Sequence, residues 1–208
     1  MKKEWKKDEK AFYLPKTNPE LIQIPSMSYF MLDGRGNPNS EAFAEAVGVL
    51  FSLAYGVKML PKKGLEPEGY YEYSVYPLEG VWDLDEKAGG LDYLDKDKLI
   101  YTLMIRQPGF VTDELAQGVI DSIKIKKPHP LLQHVWFGKL EEGLCVQMLH
   151  IGPYDDEPES FSLMEEYCRV NQVERVSKLH REIYLTDARK TAPNKMKTIL
   201  RFVVKPSN

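Results

Sequence analysis

Apolar and polar positions along the chain follow a helical period in some segments and an extended pattern in others. After Ser40, apolar side chains recur every three or four residues, which predicts a helix that begins at a serine N-cap. This stripe consists of Phe43, Val47, Leu50, Ala54 and Val57. Extended segments are predicted at residues 22–32, 70–78 (YYEYSVYPL) and 99–106 (LIYTLMIR), and EGVWDL is predicted to form a turn.

The second half of the chain repeats this order of elements. A predicted strand, LCVQMLHIG, leads through the turn GPYDDEP into a helix. Two further strands follow, HREIYL and TILRFVV, and residues 183–187 can be superposed on residues 75–79 of the first half. The apolar face of the helix carries Phe161, Met164, Tyr167 and Cys168.

The shared order of strand, helix, strand, strand predicts a duplicated α+β unit whose halves form one antiparallel sheet with helices on one face. The repeats span about residues 21–111 and 135–205, and Thr112 is predicted to cap a further helix between them. Residues 21–208 are therefore interpreted as a single domain. Residues 1–20 are interpreted as an N-terminal arm, because charged residues of both signs crowd it and two prolines prevent a long helix.

Composition excludes several classes of partner. The chain of 208 residues has 28 Lys and Arg against 31 Asp and Glu, so no basic surface for nucleic acid is expected. Its longest mostly apolar run, residues 47–57, is too short to cross a bilayer. Because the N-terminus lacks an apolar signal core and Cys145 and Cys168 have no metal-like spacing, we expect a cytoplasmic protein without a disulfide framework.

The strand HREIYL has the most informative pattern for chemistry. Alternation places His180, Glu182 and Tyr184 on one face, and Arg181 and Ile183 on the other. A carboxylate on a sheet face lined with aromatic rings is suited to proton transfer if it is partly desolvated. It is equally suited to attract a cationic ligand. An ordinary solvent-exposed polar face is the third interpretation of this pattern.

Acidic residues precede the helix of the second half. Asp155, Asp156 and Glu157 are interpreted as caps and as favourable charges at the helix N-terminus. No metal site is predicted, and no cofactor is expected, because the chain has neither a phosphate-binding glycine loop nor a zinc motif. We expect His150 to be a hydrogen-bonded structural group.

Twelve tyrosines and three tryptophans make aromatic rings candidates for either a core or a pocket lining. Tyr71 and Tyr73 share one face of their predicted strand, and the repeat places Ser74 at the position equivalent to Glu182. The two tyrosines therefore fit the core as well as a pocket. Trp82 and Trp136 are further candidates, because a large ring in a turn or beside Phe137 needs a packing partner.

Four stretches identify a resemblance to a known family: PLEGVWDL, MIRQPGFVT, QMLHIGPYDDEP and HREIYLTDARKTAPNKMKTILR. They resemble the GyrI-like small-molecule-binding family, which is related to the effector domains of multidrug-sensing MerR-type regulators. The resemblance covers roughly residues 20–205. It implies a ligand groove between the halves, with Glu182 at the position of the family's glutamate. No DNA-binding segment precedes the domain, so a stand-alone form is expected.

The resemblance implies a small-molecule aromatic ligand, and some family members resemble hydrolases that open cyclopropane-bearing DNA-alkylating natural products. In that hypothesis Glu182 activates water and a tyrosine, Tyr71 foremost, donates to the substrate carbonyl. Where many relatives carry a second tryptophan after the position of Trp82, this chain has Asp83. The residues expected to bind the ligand are Tyr73, Trp82, Phe110, Trp136, Tyr154 and Tyr184.

Two alternatives stay open. A non-catalytic module would sequester or sense hydrophobic cations, with Glu182 as counter-charge. An interaction protein would shield another enzyme, although no feature of the chain favours this third hypothesis.

Overall fold

A computed structural model describes residues 2–84 and 96–207 of the chain. The helices are α1 (Trp5–Asp8), α2 (Lys10–Tyr13), α3 (Glu41–Lys58), α4 (Asp113–Lys126) and α5 (Glu157–Val170). The strands are β1 (Glu20–Ile24), β2 (Met27–Arg35), β3 (Leu78–Leu84), β4 (Leu99–Gln107), β5 (Trp136–Leu140), β6 (Gly143–Ile151), β7 (Val173–Arg175), β8 (His180–Tyr184) and β9 (Lys197–Pro206).

The chain divides into two compact units, and the first consists of the described residues within 1–4, 27–78 and 82–140. Its strands pair in the order β4-β2-β5, and both ladders are antiparallel. Helix α3 packs on β2, β4 and α4. The apolar face of α3 is buried at Leu50, Leu53 and Val57, because this face meets the inward-facing side chains of the strands.

The second unit consists of residues 5–26, 79–81 and the described residues within 141–208. Its strands are ordered β1-β6-β9-β8, with β7 added to β9, and these ladders are antiparallel. Helix α5 packs on β6 and β7. The core of this unit contains Val146, Met148, Met164, Cys168, Leu200 and Phe202.

Both predicted helix caps are confirmed. The Ser40 hydroxyl accepts from the Phe43 amide at 3.2 Å, and the Thr112 hydroxyl accepts from the Leu115 amide at 3.2 Å. The predicted apolar face of α5 is also confirmed, because Met164 is buried in the core of its unit. The predicted α+β class with antiparallel strands and helices is therefore confirmed.

Two predicted elements of the first half are wrong. Residues 70–77 form no strand, and only Tyr73 takes part in an isolated bridge, to Lys3. EGVWDL, predicted as a turn, lies instead within β3. Pro77 has no amide hydrogen to donate to a ladder, so regular pairing begins after it. The superposition of residues 75–79 on 183–187 therefore fails as well, because the first segment enters β3 where the second leaves β8.

Candidate functional site

Three polar side chains meet on one face of β8. The Tyr184 hydroxyl donates to Oε2 of Glu182 at 2.7 Å, and the His180 Nε2 lies 3.2 Å from Glu182 Oε1. The alternation predicted for HREIYL is thereby confirmed, since residues two apart on a strand point to the same side. Glu182 is only 9% exposed, so its carboxyl group is largely shielded from bulk water.

The turn before α5 brings a second group of side chains to this face. Residues 154–156 form a 3-10 turn, and the Tyr154 ring meets the Tyr184 ring edge-on with centroids 6.0 Å apart. Glu157, the first residue of α5, is 6% exposed, and its side chain hydrogen-bonds with that of Glu182. The site of the second unit thus contains two carboxyl groups and two phenols.

Glu157 is the residue that the sequence pattern misplaced. Its interpretation as a capping charge at the helix end is wrong, because its side chain is buried against Glu182. Asp156 occupies the N-cap position but makes no side-chain cap hydrogen bond. One signal was available, since the stripe of Phe161, Met164 and Cys168 continues back to position 157 at helical spacing.

The surroundings of these groups favour their protonated forms. Burial, the Glu182 charge and the Asp155 charge raise the pKa of Glu157 well above its ordinary range. Burial and the same two glutamates raise the pKa of Tyr154 to about 12. Burial and Glu182 also raise the pKa of Tyr184 well above its ordinary value. Each shift reflects a buried negative charge, which a cationic ligand would offset.

His150 holds the turn that carries Tyr154 and Glu157. Its Nε2 lies 3.0 Å from the Pro153 carbonyl oxygen, and its Nδ1 lies 2.9 Å from the Ser160 hydroxyl. A carbonyl can only accept, so Nε2 carries the hydrogen and Nδ1 accepts from Ser160. The ring therefore ties the β6–α5 connection to the first turn of α5, which is the structural role expected for it.

A cluster of rings in the first unit contains three of the expected site residues. Tyr71 meets Phe110 edge-on at 5.3 Å between centroids, and Tyr73 meets it at 6.0 Å. Tyr73 is buried, and burial raises the pKa of its hydroxyl. In the described parts of the chain this hydroxyl has no hydrogen-bond partner. A buried phenol in that condition is suited to bind a polar atom of a ligand.

The two candidate tryptophans of the first unit differ in exposure. Trp82 is 5% exposed and packs between Phe43 and Tyr101, with ring centroids 6.0 and 5.1 Å away. Trp136 is 41% exposed, and its ring leans over Gly138 on β5. The absence of a side chain at Gly138 leaves room for this position of the indole.

The structure therefore brings Glu182, Tyr184 and Tyr154 together in the second unit. It brings Tyr71, Tyr73 and Phe110 together in the first. Within residues 2–84 and 96–207, no three His, Cys, Asp or Glu side chains are grouped so that they could hold a metal ion. None of the helices described combines the length and apolar character that a membrane span needs.

Comparison with known proteins agrees with this architecture. The model of the GyrI-like small-molecule-binding domain matches residues 17–205. A hydrolase from Listeria innocua, known from its crystal structure, is 36% identical and superposes with a TM-score of 0.87, covering 98% of this chain and 100% of its own. Another structure of a Listeria innocua hydrolase is 38% identical with a TM-score of 0.90, covering 99% and 100%.

A more distant structure shares the fold alone. The C-terminal domain of EcmrR is 11% identical and superposes with a TM-score of 0.53, covering 91% of this chain and 98% of that domain. No curated protein matches the chain significantly.

Proposed function

The chain belongs to the GyrI-like small-molecule-binding family, and from that premise we propose that it binds bulky aromatic compounds at Glu182 and hydrolyses electrophilic ones. The substrates proposed are cyclopropane-bearing DNA-alkylating natural products. One observation carries the proposal: the shielded Glu182 carboxyl group lies between the phenol of Tyr184 and the imidazole of His180. Such a group combines a proton acceptor with a desolvated surface.

The proposed reaction adds water across the strained ring. Glu182 accepts a proton from water, and the water oxygen bonds to the exposed cyclopropane carbon. The ring carbon–carbon bond breaks, and its electron pair moves into the conjugated ring to give a phenolate. A tyrosine donates a proton to that oxygen, and the proton on Glu182 returns to the tyrosine through solvent.

The proton donor is a tyrosine with its hydroxyl free to turn toward the substrate. Tyr71, Tyr73 and Tyr184 are the candidates, and the hydroxyl of Tyr184 already donates to Glu182. The catalytic role of Tyr71, the groove between the halves and the ligand-binding roles of Tyr73, Trp82, Phe110 and Trp136 remain predictions. Support for turnover comes from the Listeria innocua structures named as hydrolases, which match nearly the whole chain.

A binding module for hydrophobic cations is the second candidate function. The observation that favours it is the number of acidic groups around one carboxylate, since Glu157, Tyr154 and Tyr184 all have raised pKa values. A cation with aromatic rings would offset that charge and pack against the exposed part of Tyr154. In this function Glu182 is a counter-charge, and no product forms.

Turnover counting separates the two functions. The protein is mixed with an excess of a spirocyclopropane drug, and the ring-opened product is quantified by mass spectrometry. Conversion of the whole excess supports the hydrolase, whereas saturation at one equivalent supports the module. Glu182→Gln should abolish turnover. The matched control is Glu174→Gln, because Glu174 is exposed and pairs only with Lys205 on the surface of its unit.

A further inference from the structure

Two buried carboxyl groups lie in direct contact in the second unit. Glu157 and Glu182 are 6% and 9% exposed, and their side chains form a hydrogen bond with each other. A hydrogen bond between two carboxyl groups requires a proton on one of them, because a carboxylate can only accept. Two neighbouring buried carboxylates would also repel each other strongly. The contact is therefore compatible with one proton and one negative charge.

The partners of each group show which one carries the charge. Glu182 accepts a 2.7 Å hydrogen bond from Tyr184, and its other oxygen lies 3.2 Å from His180 Nε2. Both contacts stabilise a carboxylate. Oε1 of Glu157, by contrast, is buried without a hydrogen-bond partner anywhere in the described chain. A buried anion in such surroundings is costly, so the proton belongs on Glu157.

The position of Glu157 at the start of α5 acts in the opposite direction, because a helix N-terminus favours an anion. Three other groups outweigh this effect. Glu182 contacts Glu157 directly, and Asp155 in the preceding turn adds a second negative charge. From β8, the buried phenol of Tyr184 also faces the pair. Among these surroundings the residue able to supply a positive charge is His180, which contacts Glu182.

We propose that Glu157 and Glu182 form a carboxyl–carboxylate pair that shares one proton and gives the site a single negative charge. The pair fits the site to aromatic ligands that carry one positive charge. This proposal rests on the proposed function, because it concerns the ligand class of the same site. Glu157 is a positioning residue in it: its proton orients Glu182 and fixes the charge that the ligand meets.

Ethidium is the probe for the ligand class, because it is a flat aromatic monocation, and neutral phenanthridine is its matched control. The wild type should prefer ethidium to phenanthridine by about tenfold or more near neutral pH. Glu157→Gln should keep that preference within about threefold, because the amide still donates to Glu182 and is neutral. Glu182→Gln should remove it. Equal loss of the preference in both variants would overturn the proposal.

Calorimetry tests the proton directly. Ethidium titrations in two buffers with different ionisation enthalpies give the number of protons exchanged on binding. The shared-proton pair predicts no net proton release, because the site already has one charge to match the ligand. Release of a proton by the wild type, absent from Glu157→Gln, would show that the pair loses its proton to the ligand and would contradict the proposal.

A ligand-free measurement keeps the two proposals apart. Carboxyl carbon chemical shifts of protein labelled at glutamate, assigned with Glu157→Gln and Glu182→Gln, report the protonation of each group. Glu157 should have the shift of a neutral carboxyl near neutral pH, and the shift of a carboxylate would overturn the pair. If neither probe binds while Glu157 is neutral, the proposed function fails and the pair stands.

Discussion

The hydroxyl of Tyr184 donates a 2.7 Å hydrogen bond to Oε2 of Glu182, two residues before it on the same strand. Because the strand geometry itself places both side chains on one face, the contact needs no loop or domain movement to form. This face is the part of the second unit in which a shielded negative charge meets aromatic surface. The proposed chemistry of the protein starts from that pair.

Removing the hydroxyl tests what this contact contributes to the fold. Tyr184→Phe leaves a largely buried carboxyl group without its shortest donor, so the free energy of unfolding should fall by about 1.5–3 kcal/mol. Urea denaturation measures the change. Tyr167→Phe is the control, because that ring packs beside the same core and should cost less than about 0.5 kcal/mol. A Tyr184→Phe variant as stable as the wild type would contradict the account.

The opposite face of β8 carries a buried ion pair. The guanidinium of Arg181 donates to Glu79 at 2.8 Å, with the two side chains 3% and 1% exposed. Arg181→Met leaves the charge of Glu79 buried and should reduce the free energy of unfolding by about 3–5 kcal/mol. Arg189→Met removes an exposed pair with Asp187 and should cost less than about 1 kcal/mol. Equal costs would show that the buried pair is not structural.

Two glycines of the first unit should respond oppositely to alanine. At Gly34 a Cβ atom would lie 2.3 Å from Cε2 of Tyr101, whereas at Gly48 it would meet nothing within 4 Å. Gly34→Ala should therefore lower the free energy of unfolding by about 1–3 kcal/mol or more through overpacking. Gly48→Ala, in the exposed middle of α3, should raise it by up to about 1 kcal/mol. Thermal denaturation of both variants checks the prediction, which fails if their signs agree.

Stability should depend on pH through Glu157. Burial and the Glu182 charge raise the pKa of Glu157 above its ordinary value of 4.5, so the folded protein keeps a proton that the unfolded chain releases. The stabilising contribution is therefore complete below the unfolded pKa and is lost as pH rises toward the folded one. The slope is at most about 1.4 kcal/mol per pH unit.

Urea denaturation across mildly acidic to mildly alkaline pH measures this effect as the difference between the wild type and Glu157→Gln. The difference should change in favour of the variant as pH rises, because a glutamine has no proton to lose. A difference that is independent of pH would show that Glu157 titrates alike in both states.

The pattern of HREIYL predicted the face of His180, Glu182 and Tyr184, because alternation on a strand depends only on local geometry. Glu157 was missed, since its burial arises from packing of the α5 N-terminus near β8, which local charge does not reveal. Residues 70–77 were assigned to a strand because their aromatic alternation is typical of one. They pack instead as a ring cluster around Phe110, and regular pairing begins only after Pro77.

The central claim is that Glu182 is the centre of the ligand site, and a crystal structure with a bound aromatic monocation tests it most directly. The account predicts the positive charge of ethidium beside the Glu182 carboxylate, with a ring against Tyr154 or Tyr184. Ethidium bound elsewhere, with the Glu182 face holding only water, would contradict it.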